Sequence, residues 1–302
     1  MKTEQLRELI TAKIIKALKD GVKPWTAGWD RQASLSRPLR HNGTPYRGIN
    51  VLMLWMVAAD RGFESPYWMT YKQAQSLGGQ VRKGSKSTAV LVYKSLDPKE
   101  EGAQGDAGEA PAGRRIFSRA YNVFNADQID GLDAPYVNAP PPEPRAHDAL
   151  AAYDALMEVH APQFEVGPQP CYVPARDVVR WPEVGTFHSP EDHLATTCHE
   201  LAHWSGAGHR LARDGVTKPY NKLRYAYEEL VAELSAAFMG GTFGIVGHQI
   251  DDHAAYIDHW IQLLDDPTII CKAAAEAEKA CDFLITQPVL DALDRRSLPL
   301  AA

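Results

Sequence analysis

The segment SPEDHLATTCHELAHWSG, residues 189–206, places His199 and His203 four positions apart, with Glu200 directly after the first histidine. Ser189 is a good helix N-cap, and the Pro-Glu-Asp that follows it suits a first helical turn, so we expect a helix here. Residues four apart share one face of a helix, and both imidazoles can therefore bind the same metal ion. Glu200 can then take a proton from a metal-bound water, which is the H-E-x-x-H arrangement. The alternative is a surface helix with two incidental histidines.

Two histidines do not complete a tetrahedral metal site, which needs a third protein ligand and an open position. The segment YAYEELVAELSAAFMGG, residues 225–241, contains Glu229 and Glu233 one helical turn apart, on a face shared with alanines. We expect Glu229 to be the third ligand and Glu233 to accept an N–H from a ligating histidine. Glu228 and Glu233 remain rival ligands. The donor set favours one divalent ion, Zn²⁺, and also allows Mn²⁺.

A third helical segment, DDHAAYIDHWIQLLDD at residues 251–266, places His253, Tyr256 and Trp260 on one face. Tyr256 or His253 is a candidate for polarising a scissile carbonyl, as an oxyanion stabiliser does. Aromatic residues on one helix face more often pack in the core, and that alternative stays open.

The first half of the chain predicts a mixture of helices and strands. Apolar residues at helical spacing between Leu6 and Leu18 predict a first helix that stops at Gly21. Asn50 is expected to cap a strongly apolar second helix, and Thr70 with Gln73 is a capping-box signature for a short third helix. The segments STAVLVYK (87–94) and RRIFSRAYNVF (114–124) are typical of strands.

Two irregular segments divide the chain. Residues 97–113 are acidic, rich in glycine and alanine and without periodicity, which predicts a mobile hairpin loop. Residues 135–146 are proline-rich and form a predicted linker, because proline cannot continue a helix or a central strand. We therefore predict a small α+β domain over residues 1–134. A mostly helical domain, with short strands between residues 171 and 180, is predicted over 147–302, and the overall class is α+β.

The net charge of −6 conceals an uneven distribution. Residues 1–95 contain 16 Lys and Arg against 6 Asp and Glu, a balance of +10. Residues 147–302 contain 11 against 23, a balance of −12. A basic part joined to an acidic part indicates that the basic part contacts a polyanion. The alternative is a charge asymmetry that serves only solubility.

Single-stranded nucleic acid is bound by cationic grooves lined with aromatic side chains on which bases stack. The aromatic residues available for this are Trp25, Trp29, Tyr46, Trp55, Trp68 and Tyr71. The better stacking candidates are Trp25, Trp29 and Tyr46, which occur in a segment rich in glycine and proline. The cationic candidates are Arg40, Arg47, Lys72, Arg82, Lys83 and Lys86. No base-specific reader is evident, so we expect affinity that is largely independent of sequence and falls steeply with salt. The alternative is a structural aromatic cluster with solvated cations.

The spacing of the cysteines and the length of the apolar runs bear on the cellular location of the protein. The four cysteines lie far apart without a CxxC pair, which argues against a disulfide framework or a cysteine-based zinc knuckle. No apolar run is long enough to span a bilayer, and charges interrupt the first segment where a signal peptide would be continuously apolar. We expect a cytoplasmic protein with no membrane partner, and the sequence does not indicate its oligomeric state.

Seven segments together resemble the ArdC-type antirestriction proteins of conjugative plasmids. Those of the second half are TTCHELAHWSG, YEELVAELSAAFMGG and HAAYIDHWIQLL. Those of the first half, which look like a domain shared with the N-terminal part of plasmid TraC primases, are GVKPWTAGW, YRGINVLMLW, WMTYKQAQSLGGQVRKGSKSTAVLVYK and YNVFNADQIDGL. The resemblance covers nearly the whole chain. It implies an N-terminal domain that binds single-stranded DNA, a C-terminal zincin-like metallopeptidase domain, and protection of incoming plasmid DNA from host restriction enzymes.

Carried over by position, the resemblance makes His199 and His203 metal ligands, Glu200 the general base and Glu229 a gluzincin-like third ligand. Glu233 matches the acid that often follows that ligand one turn later. The implied partners are single-stranded DNA and, as a peptidase substrate, a protein of a host restriction system. One alternative is a DNA-binding protection protein whose metal site is structural and not catalytic. Another is an unrelated housekeeping metallopeptidase with an incidental basic domain.

Overall fold

The computed structural model describes residues 3–25, 36–96, 115–136, 146–245 and 254–297. The predicted mobile loop at 97–113, most of the predicted linker at 135–146 and Trp29 lie outside these ranges. Within them, helices predominate over strands and the predicted α+β class is confirmed.

The N-terminal part combines helices with a mixed four-stranded sheet and an antiparallel two-stranded sheet. Its elements are α1 (Thr3–Lys19), β1 (Leu39–Arg40), α2 (Ile49–Arg61), β2 (Tyr67–Met69), α3 (Tyr71–Ser76), β3 (Gln80–Val81), β4 (Thr88–Leu96), β5 (Arg115–Asn125) and β6 (Ile129–Asp130). The larger sheet has the order β1-β2-β5-β4, with β1 parallel to β2, and β3 pairs with β6 in a separate two-stranded sheet. Helix α2 packs against β4 and α1 against β5. The two predicted strands thus form the long β4–β5 ladder, in which Thr88 pairs with Val123.

Local sequence signals explain one helix start in this part and fail at another. The Thr70 hydroxyl accepts from the Gln73 N–H at 3.3 Å, and the Gln73 side chain accepts from the Thr70 N–H at 2.8 Å, so the capping box is confirmed. The prediction for Asn50 is wrong, since α2 begins after Gly48, whose φ is 59°. The Asn50 amide bonds the Leu91 backbone, donating to its C=O and accepting from its N–H at 2.7 Å each. By bonding both the N–H and the C=O of one strand residue, the Asn50 side chain links α2 to β4.

The C-terminal part is mostly helical. Its elements are α4 (Ala146–His160), β7 (Gln163–Val166), β8 (Cys171–Val173), β9 (Val178–Trp181), α5 (Pro190–Ser205), α6 (Asp214–Thr217), α7 (Lys222–Phe243), α8 (Ala254–Leu263), α9 (Ile269–Leu284) and α10 (Gln287–Ser297). The three strands form one sheet in the order β7-β9-β8, with β7 parallel and β8 antiparallel to β9. The short strands predicted between residues 171 and 180 are present. Helix α7 packs against both α5 and α9.

One hydrophobic core extends through both parts of the chain. The ring of Trp55 on α2 lies 6.2 Å from that of Phe238 on α7. Gly241 permits this approach, because a Cβ there would come within 3.1 Å of the Trp55 ring. Glu278 of α9 is buried, pairs with Arg37 and accepts from the N–H of the residue that precedes α2. The N-terminal part therefore contributes to positioning α7 and α9.

Among the described residues, none of the helices combines the length and apolar character needed to cross a bilayer.

Candidate metal centre

Helix α5 begins where the sequence signals predict it. The Ser189 hydroxyl accepts a hydrogen bond from the Asp192 backbone N–H at 3.0 Å and so caps the helix. All of residues 193–205 are buried. His199 and His203 therefore lie in the interior, and their Nε2 atoms are 3.2 Å apart.

The third candidate donor comes from α7. The Oε2 atom of Glu229 lies 3.5 Å from His199 Nε2, and its Oε1 atom lies 3.5 Å from His203 Nε2. In a tetrahedral zinc site the donor atoms are about 3.3 Å apart, because metal–ligand distances are about 2.0–2.1 Å. Among the described residues, these three side chains form the one group of His, Cys, Asp or Glu close enough together to hold a metal ion. Their spacing fits such an ion.

Charge interactions shift the pKa values of two of the three. Burial raises the pKa of Glu229, but the neighbouring imidazoles, above all His203, outweigh it and hold the pKa well below its ordinary value. Burial lowers the pKa of His203, but the charge of Glu229 and the contact with Glu228 outweigh it and hold the pKa well above its ordinary value. Each of these two buried groups therefore favours the charged form of the other.

Glu200 is buried beside this cluster, next to His199 on α5. Its Oε2 atom accepts no hydrogen bond from the described residues. A buried carboxylate oxygen without a donor is costly, so the atom suits a partner that the chain does not itself supply. A metal-bound water is such a partner. Burial raises the pKa of the Cys171 thiol on β8, which packs against α5, and the negative charge of Glu200 raises this pKa further.

The other ring nitrogen of His203 faces a different carboxylate. Its Nδ1 atom lies 3.3 Å from Oε1 of Glu228. The expectation that Glu233 fills this position is wrong, and Glu228, named as a rival ligand, lies behind the histidine rather than at the metal-facing atoms. Carboxylates that contact the outer nitrogen of a metal-binding histidine fix its tautomer and ring orientation.

Glu228 is itself held by Arg213, which is buried in the connection between α5 and α7. The Arg213 Nε atom donates to both Glu228 oxygens, at 3.1 and 3.0 Å, and its Nη1 atom donates to Ser205 Oγ at 2.9 Å. Gly206 and Gly215 permit this packing, since a Cβ at either would come within 3.0 Å of the Arg213 or Glu228 side chain. Sequence reasoning missed Arg213, because a single arginine in an irregular spacer has no periodic signal. The two glycines are the one sequence feature that could have indicated close packing around it.

Glu233 is buried one turn further along α7, against residues that follow α1. The Trp25 Nε1–H donates to its Oε2 atom at 3.0 Å, and Lys23 Nζ lies 3.5 Å from its Oε1 atom. Trp25 is 1% exposed and packs edge-on against Trp260 of α8. Its ring offers no face to a DNA base, so the expected stacking role of Trp25 is not supported.

Comparison with known proteins identifies the family. Residues 4–124 match the model of the N-terminal domain of anti-restriction factor ArdC, and residues 151–276 match that of a zincin-like metallopeptidase. The metal-free crystal structure of the antirestriction ArdC protein from plasmid R388 is 33% identical, with a TM-score of 0.75 over 96% of this chain and 98% of that one. The chain belongs to the ArdC family of antirestriction proteins. The Mn(II)-bound crystal structure of the same R388 protein gives a TM-score of 0.73 over 98% of this chain and 99% of that one.

Two further relatives differ greatly in length from one another. A DNA primase TraC of Escherichia coli is 35% identical over 92% of this ArdC-family chain, which spans 20% of the primase. An uncharacterised protein of Sinorhizobium fredii, y4eC, is 33% identical over 93% of this chain and 91% of its own length. The ArdC-family chain therefore corresponds to about a fifth of the primase and to nearly all of y4eC.

Two more of the expected DNA-binding residues of this family member are engaged within the fold. Tyr46 is 7% exposed, its hydroxyl donates to the Trp68 carbonyl at 3.4 Å, and burial raises its pKa to about 12. The guanidinium of Arg40 lies 5.4 Å from the centre of its ring. Arg47 pairs with Asp282 of α9 at 2.5 Å. The Tyr46 ring is thus not open to a base, and the Arg47 charge is partly neutralised.

The remaining expected residues lie on the surface or outside the described part of the chain. The exposed cations are Arg40, Lys72, Arg82, Lys83 and Lys86. Trp29 and His253 are outside the described residues, as is the side chain of Tyr256. The DNA contacts of these cations and the oxyanion role of Tyr256 stay predictions.

Proposed function

We propose that this antirestriction protein binds single-stranded DNA through its N-terminal part and holds one divalent metal ion at His199, His203 and Glu229. We further propose that Glu200 gives this centre peptidase activity. One observation carries the metal proposal. The Nε2 atoms of His199 and His203 are 3.2 Å apart, and each lies 3.5 Å from a different oxygen of the buried Glu229 carboxylate. Beside them, the buried Oε2 atom of Glu200 accepts no hydrogen bond from the described residues.

The choice of metal rests on the donor set and on a relative. Two imidazoles and one carboxylate are a common catalytic zinc set and are also acceptable to manganese. The R388 relative was crystallised with Mn(II). We therefore propose Zn²⁺ or Mn²⁺ as the physiological ion.

The reaction we propose is hydrolysis of a peptide bond. A divalent ion, when bound, would act as a Lewis acid that lowers the pKa of water. Glu200 takes the proton of the attacking water at its Oε2 atom and delivers it to the departing amine. Glu228, held by Arg213, keeps the His203 ring oriented through Nδ1, so that Nε2 faces Glu229 and His199. A protein of a host restriction system is the substrate class we propose.

The DNA-binding part of the proposal rests on charge and on relationship. Residues 1–95 have a balance of +10, and the matching TraC relative is a DNA primase. Contacts with phosphates release counterions, so binding should weaken as salt increases. We propose that the protein acts in the cytoplasm, where incoming DNA encounters restriction enzymes.

A second candidate is a DNA-binding protection protein whose metal is structural. It is favoured by the burial of the donor cluster between α5 and α7, where an ion would connect the two helices. The two functions differ in what they require of Glu200.

The deciding experiment compares wild type with Glu200→Gln for protection of unmodified incoming DNA in a restricting host. Metal content and binding to single-stranded DNA are measured on both proteins. If protection is lost while metal and DNA binding persist, hydrolysis at this site is part of the function. Full protection by Glu200→Gln would exclude the peptidase mechanism and leave the structural metal.

A further inference from the structure

An open groove of about 760 Å³ lies in the N-terminal part, beside the two-stranded sheet. Its lining residues are Tyr71, Gln80, Val81, Arg82, Lys83, Ser85, Phe124 and Asp130. They come from the start of α3, from β3 and the turn after it, and from the ends of β5 and β6. Sites of roughly 300–1,000 Å³ accommodate small organic groups, and a nucleobase with its sugar is of that kind.

The groove presents aromatic surface to solvent. Tyr71 is 41% exposed although it is a large, partly apolar residue. Its hydroxyl accepts a hydrogen bond from Gln80 Nε2 at 3.1 Å, which fixes the ring against β3. Phe124 is half-buried, and it packs against the small second core of this part. An exposed ring held in place offers a stacking face at little entropic cost.

The charge of the groove is positive. Arg82 lies 3.0 Å from Asp130, so these two charges largely cancel. Lys83 is exposed in the turn that follows β3, where Gly84 has a φ of 87°. Lys83 thus lines the groove as an exposed cation.

We propose that this groove is a base-stacking subsite for single-stranded DNA, with Tyr71 as the stacking ring and Lys83 as a phosphate contact. Phe124 forms the apolar wall beside the stacked base. The inference rests on the proposed function, and it assigns to Tyr71 the role that the buried Trp25 and Tyr46 cannot perform. Single strands are favoured over duplex because bases in a duplex already stack on one another and offer no face to a protein ring.

The test is fluorescence anisotropy of a labelled oligothymidylate with the full chain. Tyr71→Ala should weaken binding by about 5- to 150-fold, the loss that corresponds to one stacked base. Tyr71→Phe keeps the ring and loses only the hydrogen bond from Gln80, so it should weaken binding much less. Lys83→Gln should reduce the slope of log affinity against log salt by about 0.7, the value for one phosphate contact on a single strand. The matched controls are Tyr220→Ala and Lys218→Gln, which remove an exposed tyrosine and an exposed lysine from the C-terminal part.

The outcomes separate this inference from the function on which it rests. If wild type binds the oligonucleotide and Tyr71→Ala binds equally well, with an unchanged circular dichroism spectrum, the groove is not the stacking subsite and the proposed function stands. If wild type fails to bind single-stranded DNA, the proposed function fails and this inference fails with it. A loss for Tyr220→Ala as large as that for Tyr71→Ala would also overturn the subsite.

Discussion

The indole N–H of Trp25 donates a hydrogen bond of 3.0 Å to the carboxylate of Glu233, across 208 residues of sequence. The same indole packs edge-on against Trp260, whose own N–H donates to the Ala226 carbonyl at 2.8 Å. Ala226 and Glu233 lie on either side of Glu229 along α7. Two tryptophans, one of them from the N-terminal part, therefore hold the turn of α7 that carries the candidate third ligand.

We expect Trp25→Phe to destabilise the protein and to weaken metal binding. The variant keeps an aromatic ring but removes the donor to a buried carboxylate, which should lower the free energy of unfolding by about 1–3 kcal/mol. Metal affinity should fall as well, because α7 would lose a contact one turn from Glu229. Urea denaturation and calorimetric titration with Mn²⁺ measure the two effects.

Tyr46→Phe is the matched control, since it also removes one buried N-terminal donor but contacts Trp68 rather than α7. It should leave metal affinity unchanged. Equal metal affinities for Trp25→Phe and Tyr46→Phe would show that the contact with Glu233 does not support the metal centre.

The sequence predicts the features of this site that depend on one helix. Ser189, His199 and His203 belong to a single continuous helix, so 3.6-residue periodicity is sufficient to place the two imidazoles on one face. The capping box at Thr70 and Gln73 is local in the same way. Asn50 fails because its partner, the Leu91 backbone, belongs to a strand that is distant in sequence.

Features that depend on how two elements pack could not be predicted in the same way. Glu228, Glu229 and Glu233 lie within two turns of α7, and only the packing of α7 on α5 decides which of them meets Nε2 and which meets Nδ1 of His203. Trp25 is similar: a tryptophan in an irregular segment has the same sequence signature whether it stacks on DNA or fills the core. Burial, which the sequence does not report, separates the two cases.

Metal affinity should increase with pH. The raised pKa of His203 means that its proton stabilises the metal-free fold fully below the ordinary histidine pKa of about 6.5. That contribution is lost as the pH rises through the raised value. A metal ion must displace this proton, so affinity should rise about tenfold per pH unit while the pH stays below the raised pKa.

Calorimetric titration of the metal-free protein at several pH values, in buffers of different ionisation enthalpy, measures both affinity and proton release. Release of about one proton per metal ion near neutral pH is the expected result. His209→Gln is the control, because His209 is exposed beside Asp177 and should not affect the profile. An affinity that is independent of pH, without proton release, would contradict the prediction.

The ion pair between Glu228 and Arg213 should be necessary for both stability and metal binding. Glu228→Gln retains the shape of the side chain but leaves the Arg213 guanidinium buried without its counter-charge, which should cost about 3–5 kcal/mol of unfolding free energy. It also removes the carboxylate at Nδ1 of His203, and loss of such a contact typically weakens metal binding by about 10- to 100-fold.

A double-mutant cycle with Arg213→Met separates the two roles. Because the double variant restores charge balance, its stability should recover relative to Glu228→Gln alone, whereas its metal affinity should stay low, since no carboxylate faces Nδ1. Recovery of metal affinity together with stability would mean that Glu228 acts only on the fold and does not orient His203.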